Sequence, residues 1–166
     1  MSILSWICHG LGHPATVREV RDLTAKFALA VLCLVETQLS SARVEILTQS
    51  FGYDRSFVVC SSGRSGGLVI FWNESIKLEV IGYLEYHIDV TVEDGGSACR
   101  LTFVYEGAQV PERYKTWNLL TGIVCVSNLP WAVIEDFNEV LTPQEHDGVG
   151  QYSQAQMDAF RDALDT

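Results

Sequence analysis

A layered α/β domain with mixed or antiparallel sheets is the fold this sequence predicts, and three observations carry that expectation. Two apolar runs, Ala28 to Val35 and Trp131 to Ile134, read as buried strands, and each is followed by acid, Glu36 in one case and Glu135-Asp136 in the other. Amphipathic segments with apolar residues three or four apart flank these runs, as surface helices do. The middle of the chain, from Arg55 to Tyr105, is a succession of short apolar or alternating runs separated by turn-forming clusters.

Taken in order, Ser2 to Cys8 suits a first strand, and His9-Gly10-Leu11-Gly12-His13-Pro14 marks a loop through its glycines and proline. Val17, Val20, Leu23 and Phe27 then line one face of a helix whose other face carries Arg18, Glu19, Arg21 and Asp22. After the Ala28 to Val35 strand, Ser40-Ser41 caps a helix with Val44, Leu47 and Phe51 on one face, and Gly52 stops it. Strands follow at Arg55 to Cys60, Gly67 to Trp72, Ile76 to Tyr83, His87 to Val92 and Cys99 to Tyr105. The clusters between them, including Asn73-Glu74-Ser75 and Glu93-Asp94-Gly95-Gly96, are read as turns of antiparallel hairpins. Gly63-Arg64-Ser65-Gly66-Gly67 lacks the lysine and spacing of a phosphate loop and is read the same way. Pro111, Tyr114, Trp117, Leu120 and Ile123 outline a third helix. Ser153 with Gln156 forms a capping box before a last helix bearing Met157, Phe160 and Leu164.

The chain of 166 residues, 48% hydrophobic, can bury a real core, and with no repeat or linker it is expected to be one domain, 1–166. Its net charge of −10 argues against a general basic patch for nucleic acid without forbidding a small local one. The longest apolar run, Phe27 to Val35, is far too short to span a bilayer, and the first residues lack a basic start and a cleavage site. An intracellular location is therefore expected. The five cysteines are widely spaced with no CxxC pair, so buried free thiols are expected rather than disulfides or structural zinc. The histidines show no ligand pattern beyond His9 and His13 in the first glycine-rich loop. The tryptophans all lie within apolar runs and read as core anchors.

Chemistry concentrates after the Trp131 strand. Asp136 and Asn138, two apart in an extended chain, point to one side and could aim together at a ligand beyond the strand's carboxyl end. The same residues suit a solvated turn equally, since Asp and Asn bond to their own backbone there, and taken alone the turn is the better reading.

A family resemblance shifts that balance. Ser5-Trp6-Ile7-Cys8-His9-Gly10-Leu11-Gly12 stands where the family has Ser-Trp-Asn-Cys-Arg-Gly-Leu-Gly. In order there follow Val35-Glu36-Thr37, Gly63-Arg64-Ser65-Gly66-Gly67-Leu68, His87-Ile88-Asp89, Tyr105, Leu129-Pro130-Trp131, Asp136-Phe137-Asn138-Glu139 and Gln156-Met157-Asp158-Ala159-Phe160. With these motifs the chain resembles the endonuclease/exonuclease/phosphatase domain, most closely the branch found in plant non-LTR (LINE-type) retrotransposons. The resemblance implies a four-layer α/β/β/α sandwich with its site at the common edge of the two sheets. It implies metal-dependent hydrolysis of phosphodiester bonds in nucleic acid, DNA as partner and a nuclear location. Glu36 would bind Mg²⁺ or Mn²⁺, Asp136 would orient or deprotonate the attacking water, Asn138 would hold a phosphate oxygen and Tyr105 would add a hydrogen bond.

Departures from the pattern lower the activity expected. Ile7 replaces the asparagine of the first motif, and Glu135 replaces the glycine of Gly-Asp-Phe-Asn. The family's closing Ser-Asp-His motif is absent from these 166 residues, none of the histidines matches it, and His87 reads as structural. The expectation is therefore a copy lacking its carboxyl-terminal part, with an incomplete second sheet and activity weak or lost. The alternative is a non-catalytic remnant that acts, if at all, as a protein-interaction module, self-associating through an exposed sheet edge.

Overall fold

The structure, a computed structural model, describes residues 1–60, 66–105, 118–124, 127–134, 140–145 and 153–164. The chain divides into two compact units, one of Met1–Tyr105 with Leu129–Glu135, the other of Glu106–Asn128 with Asp136–Thr166.

The first unit contains two four-stranded sheets. One is built from β1 (Ile3–Ile7), β2 (Val31–Val35), β3 (Arg55–Val59) and β4 (Leu68–Trp72), in the order β1-β2-β4-β3. β1 and β2 are parallel, joined through helix α1 (Pro14–Phe27), and the other pairs are antiparallel. The other sheet runs β5 (Lys77–Leu84), β6 (His87–Asp94), β7 (Ser97–Val104), β8 (Trp131–Ile134), antiparallel except for the parallel β7/β8 pair. Two sheets with flanking helices are what the sequence predicts.

Alternation along the strands divides the core into two layers. Leu32 and Leu34 of β2 and Val69 and Phe71 of β4 pack with Val20 of α1 and with Val44 and Leu47 of α2 (Ser41–Ser50). Their neighbours Val31, Cys33, Val35, Leu68 and Ile70 face the other way and meet Ile88, Val90, Val92, Leu101 and Phe103 of the second sheet. Helices, first sheet and second sheet thus stack as three layers. Phe57 of β3 and Tyr83 of β5 close the inter-sheet core with an edge-to-face contact, centroids 4.9 Å apart.

Several boundaries differ from the sequence reading for identifiable reasons. β2 begins at Val31 because Ala28, in the left-handed region at φ +45°, is the C-cap of α1. Pro14 opens α1, and the His13 side chain caps it by accepting from Ala15 N at 3.2 Å, so this proline starts a helix as well as ending a loop. Asn73-Glu74-Ser75 is not a hairpin turn, since β4 and β5 lie in different sheets. β8 is only partly buried, with Ala132 exposed, against the expectation of a buried strand. Cys8 and Cys33 are buried thiols as expected, whereas Cys60 is exposed. Trp6 and Trp72 pack, partly buried, against the two cores.

The face of the second sheet turned away from the first holds a polar network. Arg100 Nε lies 3.0 and 3.1 Å from the two Asp89 carboxylate oxygens, and its Nη2 lies 2.6 Å from Oδ2. Thr102 Oγ1 donates to Asp89 Oδ1 at 2.9 Å and accepts from Trp131 Nε1 at 2.8 Å. The Arg100 guanidinium also sits 4.9 Å from the Trp131 ring centroid. Asp89, Arg100 and Thr102 are all buried, so the pairing is what allows the charges to be there.

His87 shares that strand face and is buried, with Nδ1 lacking a hydrogen-bond partner among the described residues. Burial lowers its pKa from 6.5, opposed in part by the Asp89 carboxylate. The folded state therefore favours the neutral ring, and the unfolded chain binds the proton more readily. The stability that neutral His87 contributes is present in full above the unfolded value of 6.5 and is lost as pH falls from there through the folded value. Urea midpoints of the wild type are expected to fall between pH 7 and pH 5 more steeply than those of His87→Phe, and coincident slopes would contradict this account.

In the second unit, α3 covers the described helical residues 118–123, with Leu120 buried, and α4 spans Gln154–Leu164. The capping box forms as predicted: Ser153 N donates to Gln156 Oε1 at 3.1 Å and Gln156 N donates to Ser153 Oγ at 3.2 Å. Met157 and Phe160 are the buried face of α4, and Arg161 donates to Leu141 O at 2.8 Å. No helix among the described residues is long and apolar enough to cross a membrane.

Candidate functional site

At one rim of the first unit the carboxyl ends of β1, β2 and β7 come together. Ile7 pairs with Val35 where β1 and β2 end. One residue past β2 stands Glu36, and one residue past β7 stands Tyr105. The Tyr105 hydroxyl donates to Glu36 Oε1 at 2.8 Å, a bond that links the two sheets. On the other oxygen, Oε2, His9 Nδ1 stands at 2.7 Å. The Glu36 side chain is 25% exposed, so the carboxylate is held on both sides while still open to solvent.

Backbone bonds fix the loop that carries Glu36. Cys8 N donates to Val35 O and Leu11 N to Thr37 O, both at 3.0 Å, lacing the β1–α1 loop to the chain on either side of Glu36. Thr37 N donates to Gly67 O at 3.1 Å and Gln38 N to Gly66 O at 3.2 Å, so the glycine pair before β4 buttresses the same loop. His9, Glu36 and Gln38 all adopt left-handed backbone, with φ of +49°, +56° and +53°. Non-glycine residues pay for that conformation, and such positions cluster where function requires a set geometry. Gly10 meets the same demand at φ +100° with a Cβ position 3.5 Å from Gln38 Oε1, room that a side chain would use only under backbone strain.

Cys8, buried beneath the loop, donates its thiol to Val35 O at 3.2 Å. Its pKa is raised to about 11, first by burial and in smaller part by the Glu36 charge. It stays a thiol and is no nucleophile. Ile7 packs toward the inter-sheet core and offers no oxygen donor at the rim.

Of the residues singled out from sequence, Glu36 and Tyr105 are thus brought into direct contact from different sheets. Asp136 and Asn138 lie outside the described residues, as does Glu135. Strand β8, which precedes them in sequence, runs parallel to β7 with Ile134 opposite Phe103, so its last residue lies near the rim that bears Tyr105. Among the described residues no three His, Cys, Asp or Glu side chains gather as a metal cluster. His9 is the site residue that sequence reasoning passed over. Its only signal was a histidine in the first glycine-rich loop, where the family resembled has arginine.

By sequence, the chain matches no family model and no curated protein. Solved structures do match its fold. The endonuclease domain of TRAS1, a telomere-specific non-LTR retrotransposon, superposes with a TM-score of 0.72 at 12% identity, over 98% of this chain and 70% of that one. The 3′ phosphatase NExo from Neisseria, bound to a product DNA hairpin, gives 0.64 at 18% identity, over 99% and 70%. The human Nocturnin catalytic domain gives 0.62 at 16% identity, over 84% and 64%. The chain therefore spans about two thirds of the length of these structures. What the likeness establishes is that this chain has the two-sheet α/β fold of the endonuclease/exonuclease/phosphatase type.

Proposed function

We propose that the chain is a metal-dependent phosphodiesterase domain acting on nucleic acid, of the retrotransposon endonuclease kind, with Glu36 as its metal-binding carboxylate. The observation that carries this reading is the Tyr105–Glu36 hydrogen bond, which sets an acid and a phenol from two different sheets side by side at one rim. The neighbours in fold lend support: one is an endonuclease domain, and another is a phosphatase seen with product DNA.

The residues present fit a hard divalent cation. Among the described residues each Glu36 oxygen has one partner, leaving a second lone pair on each, and the side chain is open to solvent. A bound Mg²⁺ or Mn²⁺ would supply charge to offset that growing on the phosphoryl oxygens. The chain's own residues divide the remaining work. Tyr105 orients Glu36 and reaches a phosphate oxygen only by releasing that bond, Asn138 positions a phosphate oxygen, and Asp136 holds or takes the proton of the attacking water. Ile7, an alkyl side chain where a polar one would help to hold the metal side, supports a slow enzyme rather than an efficient one. That the 166 residues act as one domain, that the branch is plant LINE-like and that its place of action is the nucleus belong to the same reading.

The test is nicking of supercoiled plasmid by the purified chain with Mg²⁺ or Mn²⁺. Nicking that EDTA and Asp136→Ala both abolish is the expected result. A folded chain that leaves the plasmid intact with either ion would overturn the enzymatic reading and leave the fold untouched.

A further inference from the structure

We propose that His9 is a nitrogen ligand which, beside Glu36, makes the site prefer a borderline first-row ion such as Co²⁺ or Zn²⁺ over Mg²⁺. The inference rests on the reading of Glu36 as the metal carboxylate and asks which ion that carboxylate holds.

Geometry places the ring there. Nδ1 stands 2.7 Å from Glu36 Oε2, on the oxygen that Tyr105 does not bond. The loop is clamped on both sides of the histidine by the Cys8 and Leu11 backbone bonds to Val35 and Thr37. A left-handed His9 followed by left-handed Gly10 then turns the ring toward the acid.

Stability alone does not account for the arrangement. The His9 side chain is 80% exposed, so as a surface pair with Glu36 it adds little to stability. Left-handed backbone at a non-glycine residue is itself unfavourable. The cost of holding His9 in place at least equals what the contact returns, the balance expected of a residue kept for binding.

Donor chemistry then selects the ion. Carboxylate oxygen suits Mg²⁺ and Mn²⁺, whereas imidazole nitrogen favours the later first-row ions, for which affinity rises along the series from Mn²⁺ to Cu²⁺. A cation held by both side chains would replace the hydrogen bond between Nδ1 and Oε2. Among the described residues no third His, Cys, Asp or Glu joins the pair, so within them the nitrogen of His9 is the donor that distinguishes one ion from another.

Calorimetric titration of the 166-residue chain with Co²⁺ and with Mg²⁺ tests this, in the wild type, His9→Asn, His9→Gly and Glu36→Gln. Both His9 variants tolerate left-handed backbone, and both are expected to lose Co²⁺ affinity by on the order of tenfold to a hundredfold while Mg²⁺ affinity stays close to that of the wild type. Equal changes for the two ions, or none, would overturn the assignment. Glu36→Gln separates the failures. If it abolishes binding of both ions while the His9 variants bind both as the wild type does, only the role of His9 is lost. If it leaves both affinities intact, the metal reading of Glu36 falls and this inference with it. Pulsed EPR on the wild-type chain with Mn²⁺ needs no variant. Nitrogen coupling from an imidazole is expected, and its absence would count against His9 as a ligand.

Discussion

Replacing Asp89 with Ala is expected to cost about 3–5 kcal/mol of folding stability, the usual penalty of breaking a buried ion pair from one side. The Arg100 side chain is 1% exposed and lies 2.6 Å from Asp89 at its closest contact. Without the carboxylate, the guanidinium loses its bonds to both Asp89 oxygens, and Thr102 Oγ1 loses its acceptor. Asp89→Asn keeps the shape and one acceptor oxygen but not the charge, and should fall between Ala and wild type. The pair is not expected to be a net source of stability. Asp89→Leu combined with Arg100→Met should recover much of what either single change loses, because desolvation of two ions nearly cancels their attraction. Urea unfolding of the three variants beside the wild type checks this, and a double variant no more stable than Asp89→Ala would show that the ions contribute more than their burial costs.

Glu36→Gln is expected to cut metal-dependent cleavage by on the order of a hundredfold or more, if the domain cleaves as proposed, while leaving stability nearly unchanged. The amide has the same volume and the same backbone preference, and its oxygen can still accept from the Tyr105 hydroxyl. What it lacks is charge. A neutral oxygen is a poor anchor for a divalent cation, so the loss should appear as a higher metal concentration for half-maximal nicking as well as a lower rate. Tyr105→Phe is the graded companion, since it removes the bond that orients Glu36 but leaves the carboxylate in place. A Glu36→Gln protein that nicks as the wild type does would show that this acid is not the metal ligand.

Much of the fold was legible in the chain. Strong local signals set each element: alternation or wholly apolar runs for β2, β4, β6 and β7, helical periodicity for α1, and a side-chain capping box for α4. Where the reading slipped, a competing local preference was at work. A left-handed Ala28 ended α1 inside an apolar run with no glycine to announce it. Asn73-Glu74-Ser75 has the composition of a hairpin turn, but composition does not say whether the next strand stays in the same sheet.

Glu36 and Tyr105 were each identifiable from residue type, position at a strand's end and family resemblance, yet nothing in the sequence joined them across a separation of 69 residues. The sequence by itself determined the elements, the division of apolar residues between the two faces of each strand, and the presence of an acid where β2 ends. Only the tertiary structure decided that β2 and β7, in different sheets, finish at the same rim, that Gly66 and Gly67 brace the Glu36 loop, and that His9 takes the carboxylate's other oxygen. The reason is physical: helix and strand patterns are written in neighbouring residues, whereas the meeting of a tyrosine, a glutamate and a histidine depends on how two sheets pack and where a clamped loop turns, and a linear order does not contain that distance.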